Sequence, residues 1–145
     1  MNLISLYTTA ATATGGRADG SVKTADGAIN LRLGLPKELG GGDSGEAVVN
    51  PEQLYACAWA ASLADAIGFA AKQHNYILRQ ISVTATVTFG QYESDGFGIQ
   101  AEFTVRLPEL RAAEAERIIE EARATCPYVK AFRVAENLKI TLLQE

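Results

Sequence analysis

Few side chains in this sequence are equipped for chemistry. There is one histidine, His74, and there are two cysteines, Cys57 and Cys126. One imidazole and two thiols far apart in sequence make neither a metal site nor a disulfide scaffold. A thiolate is the group here that could do redox work. Four positions stand in distinctive settings. Arg17 follows the double glycine Gly15-Gly16, Glu52 lies in Asn50-Pro51-Glu52-Gln53, Ser62 lies in an apolar run from Leu54 to Ala71, and Cys126 precedes Pro127-Tyr128. Taken singly they read blandly. Arg17 is a solvated charge in a turn, and Glu52 favours a helix N-terminus. Ser62 bonds back to a carbonyl, and Cys126 ends a helix. His74 complements a helix C-terminus, and Asp65 is either a buried partner or a solvated charge.

The elements that position these groups follow from local signals. Asn50 is a helix N-cap, Pro51 suits the first helical position, and Gln53 can close a capping box. Behind them the chain is apolar or small on every side, so the spacing predicts a central helix buried on every side, fading near His74. Leu3–Thr14 suits a strand, and Ser21–Thr24 and Ile29–Leu33 suit two short strands hinged on Asp26-Gly27. Leu35–Gly45 reads as a mobile surface loop that could gate a pocket. Residues 81–89 and 99–107 alternate with period two, which predicts an antiparallel hairpin. Leu110–Thr125 is helical, with Leu110, Ala115, Ile118, Ile119 and Ala122 inward and Arg111, Glu114, Arg117, Glu120 and Glu121 outward. Pro127 ends that helix, and Leu138–Leu143 forms a last strand. The order predicts one α+β domain over 1–145, its helices packed on antiparallel sheet. Tyr55, Trp59, Phe69 and Tyr128 then read as core or dimer contacts.

Bulk properties narrow the function. A net charge of −4 and a pI near 5.1 argue against a nucleic-acid surface. The first residues lack the pattern of a secretory signal. The apolar run is barely long enough to span a bilayer and carries Asp65 near its centre, so it reads as a core helix with no membrane role. These features predict a reducing cytoplasmic setting.

Thr14-Gly15-Gly16-Arg17, Asn50-Pro51-Glu52-Gln53-Leu54-Tyr55, position 62 and Cys126-Pro127-Tyr128 stand together in an order that resembles the organic hydroperoxide resistance proteins of the Ohr/OsmC superfamily. The resemblance covers essentially the whole chain. It implies antiparallel sheets around a central buried helix in an intertwined homodimer. It also implies a two-cysteine thiol peroxidase acting on bulky apolar organic hydroperoxides. It further implies that no cofactor is bound and that an external dithiol reductant of the lipoyl type recycles the enzyme. By the same resemblance Arg17 holds and polarises the peroxide, Glu52 orients Arg17 through a bidentate pair, and Cys126 is the resolving cysteine.

The nucleophile's place falls on position 62, which is serine. A serine hydroxyl attacks poorly without a strong base and leaves no reducible sulfenic acid. The chain therefore reads as an inactive or disarmed peroxidase. Either it has lost the activity naturally or a Cys→Ser change was made, and intact Arg17, Glu52 and Cys126 favour a recent change. Cys57, five residues before Ser62, points about 140° away around the helix and reads as a buried apolar thiol, with a bond to Cys126 disfavoured. The alternative, from another class, is a non-catalytic binding protein for lipid-like apolar ligands.

Overall fold

The computed structural model describes residues 3–43, 45, 47–132 and 138–143. The chain divides into two compact units, 1–54 and 55–145, with the boundary inside the long helix.

The first unit holds a three-stranded antiparallel sheet in the order β1 (Ala11–Thr14), β2 (Ser21–Thr24), β3 (Asn30–Arg32). The hinge between β2 and β3 is set by Asp26, whose carboxylate accepts from the Thr24 hydroxyl at 2.6 Å and the Ala28 N–H at 3.0 Å. Gly27 supplies the positive φ of 74° that this turn needs. The expected strand from Leu3 shortens to Ala11–Thr14, because β2 offers only four partner positions, Ser21 to Thr24. The residues before it join no strand, bend at Leu6 and stay exposed; Leu3 and Leu6 are 97% and 96% accessible. After a 3₁₀ turn at Lys37–Leu39, the chain returns to Leu33 through a parallel bridge with Val49.

Helix α1 (Pro51–Gln73) starts where its capping residues predict. The Asn50 side chain accepts from the Gln53 N–H, and the Gln53 side chain accepts from the Asn50 N–H, each at 2.9 Å. These two bonds satisfy donors that a helix start leaves free.

The second unit carries the core. Strands β4 (Ser82–Tyr92) and β5 (Gly96–Arg106) pair antiparallel over their full length, from Ser82↔Arg106 to Tyr92↔Gly96. They run further outward than the alternation predicts, and at their far end Phe89 and Phe97 stack at 5.3 Å. Helix α2 (Ala112–Thr125) and a short α3 (Pro127–Ala131) lead to β6 (Leu138–Leu142). One feature corrects the antiparallel expectation: β6 joins β5 in parallel. A helix between two strands returns the chain to the same end of the sheet, and parallel pairing requires such a crossover.

Trp59, Leu63, Ile67 and Ala71 of α1 pack with Phe103 and Val105 of β5 and with Ala115, Ile118 and Ala122 of α2. By length and composition alone α1 could cross a membrane, yet these inward residues are buried in the core. Burial on every side does not hold within a single chain. Gln53, Cys57, Ala61, Asp65, Phe69 and Lys72, spaced four or three apart, form an exposed stripe. The sheet and α2 cover the opposite face only.

Two side-chain clasps tie the end of α1 to α2. The His74 Nε2 lies 2.7 Å from the Glu121 carboxylate, so this histidine meets a neighbouring helix as well as its own C-terminus. The Tyr76 hydroxyl donates to Glu114 at 2.9 Å. Glu114 also accepts from the Arg111 guanidinium at 2.9 Å and from the Arg111 N–H at 3.2 Å. The guanidinium first, then the tyrosine hydroxyl, hold its carboxyl well below the usual 4.5, at about 2. A depressed carboxyl stabilises the fold fully above its unfolded pKa, and that contribution disappears as pH falls from 4.5 towards 2. Urea midpoints of the parent and Glu114→Gln should therefore differ at pH 6 and converge near pH 2.5. A gap that persists unchanged in acid would remove Glu114 as the titrating group.

Candidate functional site

In the first unit, a tight turn delivers Arg17. Gly15 has φ 76°, and the Gly20 N–H bonds the Gly16 carbonyl at 2.8 Å. A Cβ on Gly20 would stand 2.5 Å from that carbonyl oxygen, so the turn closes only with glycine there. Arg17 then meets Glu52 in the first turn of α1. Its two terminal nitrogens donate to the two carboxylate oxygens at 3.1 and 2.8 Å. Glu52 is the more enclosed partner, its side chain 13% exposed against 34% for Arg17. A bidentate pair of this kind fixes the guanidinium plane and leaves its remaining N–H groups to other acceptors.

In the second unit, Ser62 and Cys126 meet. The Ser62 Oγ lies 3.6 Å from the Cys126 Sγ. The thiol is completely buried. Its place follows from the end of α2: the Cys126 N–H bonds the Ala122 carbonyl at 2.7 Å, then the backbone leaves helical geometry at φ −56°, ψ 122°. Pro127 opens α3 at the first helical position, where its missing N–H costs nothing. Cys126 is thus the hinge between two helices.

Aromatic rings cluster around Trp59 in the same unit. Trp59, 1% exposed, lies one turn before Ser62 on α1. Its ring centroid is 5.0 Å from Phe103, 5.3 Å from Phe132, 5.7 Å from Tyr128 and 5.9 Å from Tyr55. Phe132 was not singled out from the sequence; its one signal is its position six residues after Cys126, just beyond α3.

The four candidate residues thus form two pairs, Arg17 with Glu52 in one unit and Ser62 with Cys126 in the other. Cys57 joins neither. It is exposed, which corrects the expectation of a buried thiol: the face of α1 opposite the core is the one it occupies. Both cysteines carry free thiols. Asp65 is exposed as well, which leaves it solvated. Among the described residues, no three His, Cys, Asp or Glu side chains group closely enough to hold a metal ion.

Comparison with known proteins finds relatives along nearly the whole chain. Residues 41–142 match the family model described as OsmC-like protein. The chain is 38% identical over 138 residues to an organic hydroperoxide resistance protein of Xanthomonas axonopodis pv. citri, covering 94% of this chain and 93% of that one. The crystal structure of an organic hydroperoxide resistance protein from Elizabethkingia anophelis superposes with a TM-score of 0.89 at 36% identity, covering 99% of this chain and all of that one. That of OhrB of Bacillus subtilis gives 0.87 at 31% identity, covering 96% of this chain and all of that one. Matched over most of its length by this family model and by these relatives, the chain belongs to the OsmC-like family, in the company of the organic hydroperoxide resistance proteins.

Proposed function

We propose that this chain has the scaffold of a thiol-dependent organic hydroperoxide reductase whose attacking sulfur is replaced by the Ser62 hydroxyl, and that as it stands it does not turn over peroxide. The contact between Ser62 and Cys126 carries the reading, because a sulfur at 62 would lie against the second sulfur that the chemistry requires. In that form, a thiolate at 62 attacks the terminal peroxide oxygen. The O–O bond breaks, the sulfur becomes a sulfenic acid, and the organic group leaves as an alkoxide that takes up a proton. The Cys126 thiol then attacks the sulfenic sulfur, water leaves, and a disulfide closes. An external dithiol of the lipoyl type reduces it, so no bound cofactor is needed. Arg17, oriented by Glu52, holds the peroxide and favours the thiolate. A hydroxyl at 62 supports none of the redox steps.

The family model runs across both compact units, which supports a single domain over 1–145. The reading also includes a homodimer in a reducing cytoplasm. Exposed Leu3, Ile4, Leu6 and Tyr7, with Phe69 on the outward face of α1, support the dimer, since apolar surface of this kind favours burial against a partner. A second reading, storage or transport of a lipid-like molecule, draws on the missing sulfur. It also draws on a cavity of about 370 Å³ walled by Leu107, Leu110, Ala115, Leu142 and Leu143 beside Arg106 and Arg111.

The reductase reading is tested by Ser62→Cys with an aryl hydroperoxide and dihydrolipoamide; a variant no faster than the parent sinks it. Native mass spectrometry separates the rest. We expect twice the chain mass of 15.5 kDa and no passenger. A co-purifying acyl ligand would favour the second reading, and a lone chain would remove the dimer.

A further inference from the structure

The cavity of about 370 Å³ lies outside the carboxyl ends of the parallel strands β5 and β6. β5 ends there at Arg106, β6 ends at Leu142, and α2 begins at Ala112. Crevices at the carboxyl ends of parallel strands are places where small ligands settle. Leu107, Leu110, Leu142 and Leu143 wall this one. Backbone bonds hold two of them: the Leu143 N–H bonds the Val105 carbonyl at 2.6 Å, and the Leu110 N–H bonds the Leu107 carbonyl at 3.1 Å. Leu143 stays 53% exposed, which leaves apolar surface for an occupant to cover.

The polar side chains of the cavity are of one kind. Among the described residues that line it, only Arg106 and Arg111 carry side-chain hydrogen-bonding atoms. The Arg111 guanidinium is fixed by Glu114, to which its Nη2 donates at 2.9 Å and its Nε at 3.4 Å. The Tyr76 hydroxyl anchors Glu114 in turn. A guanidinium carries five N–H donors in a rigid fork, so this one can hold a second carboxylate beside Glu114. Cationic forks on an apolar wall with no hydroxyl or amide suit a hydrocarbon chain that ends in one carboxylate.

We propose that this cavity binds short- to medium-chain carboxylates, with the acyl chain against the leucines and the carboxylate on Arg111 and Arg106. The site shares no residue with Arg17, Glu52, Ser62 or Cys126. Ala115 on its wall and Cys126 at the other end of α2 are about 16 Å apart along the helix. The inference names a ligand for this cavity and requires neither of the functional readings above.

The protein as it stands is titrated with sodium octanoate and followed by proton–nitrogen correlation spectra. Backbone signals of Leu107, Ala112 and Leu143 should shift in a saturable manner, while those of Ser62 and Cys126 stay in place. From butanoate through hexanoate to octanoate, each added methylene should tighten binding about three- to fourfold. 1-Octanol, a chain of the same length without the charge, should bind roughly tenfold more weakly than octanoate. Arg111→Gln should remove most of that advantage and leave octanol unchanged. Leu143→Ser, at an exposed position, should weaken both ligands alike. Equal affinity for octanoate and octanol would overturn the inference, as would octanoate binding that Arg111→Gln does not change. So would the absence of any response, or shifts confined to Ser62 and Cys126. None of these outcomes bears against the reductase reading, which stands or falls with Ser62→Cys.

Discussion

Ser62→Cys is expected to raise kcat/KM for an aryl hydroperoxide by on the order of 10⁴-fold or more, since loss of a nucleophile costs this much or more in enzymes whose groups act as a unit. Three observations set the direction. The Ser62 Oγ already lies 3.6 Å from the Cys126 sulfur, so a second sulfur there needs only a small approach to bond. The Cys126 backbone is fixed by its bond to Ala122 and by Pro127, so the resolving group is held in place. The Arg17–Glu52 pair is closed at 2.8 Å, ready to serve as the guanidinium clamp of the proposed reaction. The measurement is peroxide consumption coupled to dihydrolipoamide oxidation. Adding Cys126→Ala to Ser62→Cys should leave the first turnover and abolish recycling by the dithiol through a disulfide. Mass spectrometry would then find a sulfenic acid, or its overoxidised products, at 62. If Ser62→Cys is oxidised by peroxide but never forms a bond with Cys126, the two-sulfur scheme fails while the peroxide site survives.

The largest effect on stability is expected from Trp59→Ala. The indole is 1% exposed and meets four other rings within 6 Å. Truncating a buried aromatic of this size costs about 3–5 kcal/mol, part lost transfer and part unfilled cavity. The indole N–H is buried without a hydrogen-bond partner among the described residues, and its removal offsets a fraction of that. For a chain of this length the melting temperature should fall by roughly 10 °C. Urea denaturation checks it; a change below about 1 kcal/mol would mean that the ring cluster does not act as a core.

What could be read from the sequence divides along the range of the interactions involved. The start of α1 was legible because Asn50 and Gln53 bond each other across three residues. The β4–β5 hairpin was legible because period-two alternation reports one wet and one dry face. Features decided by distant partners were not. Residues 3–10 carry strand-forming side chains, yet strand formation depends on an edge to pair with, and β2 is too short to supply one. The direction of β6 depends on α2 lying across the sheet. α3 is five residues long, too short to leave a periodic signal. The exposure of Cys57 depends on which face of an all-round apolar helix meets the sheet, and Ala and Gly on both sides do not distinguish them. The site shows the same division. The motif residues stood out by spacing, whereas the Phe132 ring and the His74–Glu121 clasp join positions that only the folded chain brings together.

The parallel attachment of β6 has a consequence for the order of assembly. Its partner β5 ends at Arg106, and β6 begins at Leu138, so the ladder closes only after the intervening helices have docked and the cost of that loop has been met. A nascent chain emerging from the ribosome therefore holds the hairpin and α1 before it holds a complete sheet. One edge of β5 stays open to intruding strands until Leu138–Leu142 has emerged and docked, and a chain cut before Leu138 would leave that edge permanently unguarded.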